Sequence, residues 1–137
     1  MAIESHTARA NIFKEFYDLL RVNLVTPNVK VTNSFVDDIV EMPQVVIHAP
    51  QLPRQRNAFG TTVGAYDRSG NFEIDIFAKK MQTVVELVDD VENTIFSNLG
   101  DISVQNVQLG DSSSASIEVG GFQVHVITIP IAFKFSR

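Results

Sequence analysis

The chain contains no cysteine, no tryptophan and only two tyrosines. The lack of cysteine excludes a disulfide scaffold, thiolate catalysis and a cysteine-ligated zinc site. The scarcity of tyrosine and tryptophan argues against a surface on which nucleic-acid bases stack. No phosphate loop ends in Gly-Lys-Ser/Thr and no predicted strand leads into a G-x-G-x-x-G turn, so we expect no cofactor.

Basic residues and long apolar runs are also scarce. Eleven Lys and Arg stand against 16 Asp and Glu, which gives a formal net charge of −5 and disfavours nucleic-acid binding through a basic surface. No apolar run approaches the roughly 18 residues of a membrane span, and the first residues do not resemble a signal peptide. We therefore expect a soluble protein without a membrane partner, in which residues 1–137 form a single domain.

Amphipathic periodicity is well developed. Apolar residues at spacings of three and four predict one helix at about 7–24 and a second at 81–99. Gly100 follows the second helix at the position of a left-handed C-terminal cap. The apolar residues of the second helix are expected to form one face: Met81, Val84, Val85, Val88, Val91, Ile95, Phe96 and Leu99.

Strands are predicted at 29–35, 42–49, 59–66, 71–78, 102–109, 116–119 and 122–135. Hairpin turns are predicted from Asp67 to Gly70 and at Gly120-Gly121. In the last strand the apolar residues move from even to odd positions, which predicts a bulge or a crossing between layers. The element order predicts an α+β fold: a mostly antiparallel sheet with two amphipathic helices packed on one face and a long arm-like loop at about 50–66.

Histidine is the main candidate for catalytic or metal chemistry. His6, His48 and His125 are far apart in the sequence, and none has a partner at metal-ligand spacing. One hypothesis is a small hydrolase built on His48 or His125 with an acid, but no motif supports it. We therefore expect a protein that is not an enzyme and that binds no metal.

The arm-like loop is the most unusual segment. Arg54 and Arg56 make it locally basic in an acidic chain, and Phe59 follows where no core periodicity requires an aromatic. Arginine and aromatic side chains are favoured interface anchors, so we expect these three residues to make contacts; the alternative is a surface loop without a partner. Phe77 is a further candidate, because it lies on the polar side of strand 71–78. It is either covered by neighbours of the second helix or placed at a subunit contact.

This arrangement resembles a known family. The hairpin segment GAYDRSGNFEIDIFAKK runs directly into the helix MQTVVELVDDVENTIFSNL, and a β-rich end closes with FQVHVITIPIAFKF. Together with the N-terminal helix and the arm, this order resembles the tail-terminator (tail-completion, head–tail joining) proteins of long-tailed bacteriophages, lambda type. The resemblance spans about 8–135.

The resemblance implies an α+β subunit that assembles as a homo-oligomeric, hexameric ring. Such a ring caps the head-proximal end of the tail tube, ends its polymerisation and joins the tail to the head-completion or connector protein. DNA passes through the lumen without specific binding, and the protein is found in the virion tail or neck and in the host cytoplasm during assembly. The arm would reach a neighbouring subunit or the tail tube protein.

Two other functions remain open from the residues. One is another neck or connector component, which differs from a terminator in its partner rather than in its chemistry. The other is a non-viral protein-binding adaptor that uses the basic loop to grip an acidic partner. The state of assembly separates the ring from the adaptor.

Overall fold

A computed structural model describes residues 4–36, 42–51 and 67–136. Within these ranges the chain forms two α-helices, a short 3-10 helix and six strands. In chain order the elements are α1 (Glu4–Asn23), β1 (Lys30–Thr32), β2 (Gln44–Ile47), β3 (Asp67–Ala78), α2 (Met81–Ser97), the 3-10 helix Leu99–Asp101, β4 (Gln105–Leu109), β5 (Ser113–Val119) and β6 (Phe122–Ser136). The predicted strand at 59–66 lies outside the described residues.

The six strands form one sheet in the order β1-β2-β3-β6-β4, with β5 also paired to β6. β1 and β2 are parallel, and the other pairs are antiparallel. β3 lies along one edge of β6, while β5 and β4 follow each other along the opposite edge. Both helices contribute side chains to one core with the same face of the sheet. The predicted α+β fold is therefore confirmed.

The core lies between the helices and the sheet. Phe16 of α1 packs on Phe72 of β3 with ring centroids 4.7 Å apart, and Phe72 lies 6.0 Å from Phe133 of β6. All three rings are almost completely buried. Burying a side chain of this size stabilises the fold by about 1.5–3 kcal/mol, so these rings fix α1 against the two longest strands.

The last strand was predicted to contain a bulge or to cross between layers, and its pairing with β3 and β5 shows no bulge; the register shift in the β4–β6 pair lies in β4, between Gln105 and Gln108. β6 pairs with β3 without a register shift from His125 to Ser136, and with β5 from Phe122 to Thr128. The apolar phase changes because the strand is buried on different faces along its length. Val124 and Val126 belong to a small cluster on the face away from the helices, whereas the later odd-numbered residues enter the main core. We call the face away from the helices the second face.

Two local predictions are also wrong. The residues from Asp67 to Gly70 are not a turn but the first four residues of β3, because the long strand β6 offers them ladder partners.

Gly100 is not a left-handed cap. α2 ends at Ser97, and Asn98 satisfies late carbonyls by donating its backbone N–H to Ile95 O at 3.2 Å and its side-chain amide to Thr94 O at 2.8 Å. The predicted hairpin at Gly120-Gly121 is present, with positive φ at both residues.

Pro130 lies in the inner strand β6, at a point where the pairing along one edge of that strand passes from β5 to β4. Its carbonyl accepts a 2.8 Å hydrogen bond from the N–H of Gly110, in the gap between the end of β4 and the start of β5. Proline has no backbone N–H to donate, and none is needed here, because neither β4 nor β5 pairs with residue 130 on this edge of β6. A Cβ built on Gly110 would lie 2.9 Å from Pro130 Cγ, so the connection requires a residue without a side chain.

Candidate interaction surfaces

Phe77 lies on the second face of the sheet, on the side of β3 opposite to Ile76. It is only 7% exposed, and its ring centroid lies 4.6 Å from that of Phe35. The cluster around it consists of Val46, Phe77, Val119, Val124 and Val126. Neither helix supplies a member of this cluster, so the aromatic residue on the polar side of β3 has a local packing role. Its predicted part in a subunit contact stays a prediction.

The other three predicted contact residues, Arg54, Arg56 and Phe59, lie outside the described residues. The beginning of the arm is described. Pro50 is buried, and Gln51 forms an antiparallel bridge with Asn71 through backbone hydrogen bonds of 2.7 and 3.0 Å. The chain therefore enters the arm from an ordered position beside β3.

The β5–β6 hairpin projects beyond the rest of the sheet. β3 ends at Ala78, opposite His125, so the hairpin tip has no further strand of the described chain on its β3 side. Phe122 at the tip is 59% exposed, and Ile117 is 38% exposed. Isolated apolar residues at a surface are ordinary, but a projecting tip with an exposed phenylalanine can enter a hollow on another molecule.

α2 carries a second apolar surface, which is separate from its core face. Successive residues of a helix are rotated by about 100°, so Val85 points well away from the fully buried Val84. The exposed members lie along one side of the helix and continue into the 3-10 helix; a gap of seven residues separates Val85 from Glu92, and the half-buried Val88 within it packs against the main core. We call this line, with Glu92 at its centre, the outer stripe: Met81 (42% exposed), Val85 (46%), Glu92, Phe96 (51%) and Leu99 (36%).

The prediction of one apolar face on α2 is therefore wrong. The buried face contains Val84, Leu87, Val91, Thr94 and Ile95. The signal that separates the two faces is angular: Val85 and Phe96 each follow a buried residue by one position and so lie about 100° around the helix. A helix whose apolar residues span that much of its circumference has more apolar surface than one core contact uses.

The surroundings of the outer stripe are acidic. α2 contains Glu86, Asp89, Asp90 and Glu92 and no lysine or arginine. Partial burial, and then the neighbouring charge of Asp89, raise the pKa of Glu92 above its ordinary value. The carboxyl of Glu92 thus lies where a negative charge is disfavoured and no basic side chain of α2 compensates it.

Asp90 has a different role on the same helix. Its Oδ2 accepts hydrogen bonds from the backbone N–H of Val25 at 3.1 Å, the N–H of Thr26 at 2.8 Å and the hydroxyl of Thr26 at 2.7 Å. Partial burial opposes ionisation, but the hydrogen bonds from Thr26 and Val25 outweigh it and lower the pKa of Asp90. This carboxylate links the turn after α1 to α2, and no pattern in the sequence indicates that link.

A histidine–carboxylate pair bears on the hydrolase hypothesis. His48 Nε2 lies 2.7 Å from Asp75 Oδ2, and the hydroxyl of Thr128 donates to Asp75 Oδ1 at 2.5 Å. In a nucleophilic relay the hydroxyl must bond the imidazole, not the carboxylate. No hydroxyl of the described residues bonds His48 in this way, so the three residues tie the end of β2 to β3 and β6.

His125 offers no better arrangement. Its Nδ1 lies 3.4 Å from Ser116 Oγ across the exposed β5–β6 ladder, which is at the long limit of a hydrogen bond. No acid among the described residues bonds this ring. In the same part of the chain no group of three or more histidine or carboxylate side chains could hold a metal ion, and no helix is long and apolar enough to cross a membrane.

The described chain is thus an α+β protein with two helices on one face of a six-stranded sheet, a projecting hairpin and an apolar stripe on its second helix. No family model matches the sequence, and no curated protein matches it. Among solved structures, a chain of the "Virion of native gene transfer agent (GTA) particle" is similar, with a TM-score of 0.65 and 10% sequence identity. The match covers 93% of this chain and 96% of that chain. The two chains therefore share a fold over nearly their whole lengths.

Proposed function

We propose that this chain is a structural protein of a phage-like virion, and that it forms a ring at the head-proximal end of a tail tube. The observation that supports the proposal most strongly is the shared fold with a chain of a gene transfer agent virion, which covers 93% of this chain. Because nearly all of that other chain is covered as well, the similarity concerns the complete subunit fold and not a common fragment of it.

More specifically, we propose that the ring acts as a tail terminator. The ring would end polymerisation of the tail tube and present the surface on which a connector protein docks. A ring requires a heterologous contact, in which one surface of a subunit meets a different surface of the next. The outer stripe and the β5–β6 hairpin tip are two separate apolar surfaces, which suits such a contact.

The charge of the chain fits a conduit for DNA. Each subunit has a formal net charge of −5, so a ring of several copies would be strongly acidic. Acidic groups that face a lumen repel the phosphate backbone, which allows transit and opposes binding. The head-completion protein and the tail tube protein are the proposed partners at the two faces of the ring.

Native mass spectrometry over a concentration series, with negative-stain images of the same samples, tests this proposal. We expect a closed species with a mass of about six times the 15.2 kDa subunit, either in solution or after purified tail tubes are added. A chain that stays monomeric at every concentration and also fails to bind tail tubes would contradict the ring and favour an adaptor.

A deletion tests the part of the arm in assembly. Removing residues 51–59 should leave the far-ultraviolet circular dichroism spectrum and cooperative unfolding intact, because the core of the described residues is built from the helices and strands on either side of this segment. The same variant should lose the closed species. Normal rings from the deletion variant would show that the arm does not contribute to the contact.

A further inference from the structure

The outer stripe of α2 is an apolar surface that no other element of the described chain covers. Its exposed members lie on one line along the helix, and each keeps between 36% and 51% of its surface accessible. From typical side-chain areas they expose roughly 300 Å² together, the size at which a patch on a monomer is often functional. A stable contact buries about 800 Å² on each partner, so the stripe is one part of a larger interface.

A second α2 helix is a poor occupant for this surface. Two copies packed stripe to stripe would bring Glu92 and Asp89 of one helix close to those of the other, and α2 has no lysine or arginine to separate them. Like charges brought together at an interface cost free energy and select against that partner. The raised pKa of Glu92 shows that its charge is already disfavoured before any partner arrives.

The chemistry of the surface therefore favours an occupant with apolar and basic side chains and no acid. Residues 51–59 of this chain have that composition, with Leu52 and Phe59 near the ends, Arg54 and Arg56 between them, and no Asp or Glu. Arginine and aromatic side chains are the residues enriched as anchors at interfaces. The net charge of the segment is opposite to that of α2.

We propose that the outer stripe is the docking surface for residues 51–59 of a second copy of this chain. The proposal rests on the proposed ring, because it names one contact between neighbouring subunits. Leu52 and Phe59 would cover the apolar members of the stripe, and the two arginines would face Glu86, Asp89 and Glu92. A segment of one copy on a helix of the next is a heterologous contact, and repetition of that contact closes a ring when the rotation permits.

Cysteine crosslinking tests the contact directly, since the natural chain has no cysteine and gives no background. The double variant Ala58→Cys/Val85→Cys places one thiol beside the proposed anchors and one on the stripe. The matched control, Ala58→Cys/Val22→Cys, moves the second thiol to another exposed valine, which is 72% accessible near the end of α1. Both samples are oxidised, resolved on denaturing gels and mapped by peptide mass spectrometry.

Docking raises the effective concentration of two groups from micromolar to millimolar, so we expect at least about tenfold more 58–85 product than 58–22 product. The product should form a ladder of multimers, because each link joins two copies. A 58–85 link within single chains would overturn the assignment to a second copy. Equal yields from the test and control pairs would overturn the docking surface itself.

The mass of the native assembly separates this proposal from the ring. If rings form but the 58–85 crosslink is no more abundant than the 58–22 control, the docking surface is contradicted and the ring is supported. Multimers linked through 58–85 without a closed species support the docking surface and contradict the ring. Monomers without a preference contradict both.

Charge reversal provides a second test that does not depend on oxidation. Arg54→Glu/Arg56→Glu and Glu86→Lys/Asp89→Lys should each weaken assembly by at least about tenfold, whereas the four changes together should recover most of it. Glu86 and Asp89 are exposed, so these changes should leave folding intact, as circular dichroism would verify. Failure of the combined variant to assemble better than either pair would contradict the pairing.

Discussion

The hydrogen bonds of Asp90 allow a quantitative prediction about stability. Substitution of Asp90 by alanine removes the acceptor of three bonds between 2.7 and 3.1 Å, two of them from backbone N–H groups. A hydrogen bond to a charged group contributes about 1.5–3 kcal/mol when it is buried. Asp90 is half-buried, so water replaces part of the loss, and we expect Asp90→Ala to lower the free energy of unfolding by about 2 kcal/mol.

Urea unfolding at pH 7 measures this change, and thermal unfolding should show a fall in melting temperature of roughly 5–10 °C. Asp89→Ala is the matched control, because its neighbouring carboxylate is exposed and has no comparable set of donors among the described residues. We expect the control to differ from the natural protein by less than about 0.5 kcal/mol. Equal effects of the two substitutions would refute the assignment of a tertiary link to Asp90.

The link should also depend on pH in a defined direction. The pKa of Asp90 in the folded protein lies below its ordinary value of 3.8, since hydrogen bonds from Thr26 and Val25 outweigh partial burial. The folded value is therefore the lower one, so the charge-dependent stabilisation is complete above the unfolded pKa and is lost as pH falls through the folded pKa. The difference between the natural protein and Asp90→Ala should narrow below pH 3.8, and a constant difference down to pH 2 would refute this cause.

Two further substitutions test single packing features. Gly110→Ala should lower the free energy of unfolding by about 1–3 kcal/mol, because the new Cβ would lie 2.9 Å from Pro130 Cγ. Gly100→Ala is the control, because no atom lies within 4 Å of its new Cβ. In the same thermal unfolding experiment the control should be as stable as the natural protein or slightly more stable. Gln44→Leu should cost about 2 kcal/mol in urea unfolding, since the fully buried Gln44 amide donates to Val36 O at 2.9 Å and accepts from Val36 N–H at 3.1 Å. No difference between the two glycine variants, or an unchanged midpoint for Gln44→Leu, would contradict these contacts.

Periodicity alone determined the helices and most of the strands. α1, α2 and β3 have regular apolar spacing over many residues, and the structure places each within a few residues of its predicted bounds. Gly120-Gly121 was predictable as a hairpin because a local backbone requirement, positive φ, selects glycine. These features depend on neighbours in the sequence, which is why the sequence is sufficient for them.

Other features depended on partners that are distant in the sequence. The turn chemistry of Asp67 to Gly70 was overridden by pairing with the end of β6, more than 60 residues later. Asp90 directly follows another acid, Asp89, in the sequence, and only the fold brings the turn after α1 beside it, 64 residues away. A local pattern does not contain the position of such partners, so only the tertiary structure decided these roles.

The surfaces of the molecule also combine features that follow from the sequence with features that only the tertiary structure decides. The sequence determined that α2 is rich in apolar residues and acids, and that a basic segment lies at 50–66. Only the packing of α2 on the sheet decided that Val84 is buried while Val85 and Phe96 remain exposed. The reason is geometric: the core covers one side of a helix, and which side is covered depends on how the other elements approach it.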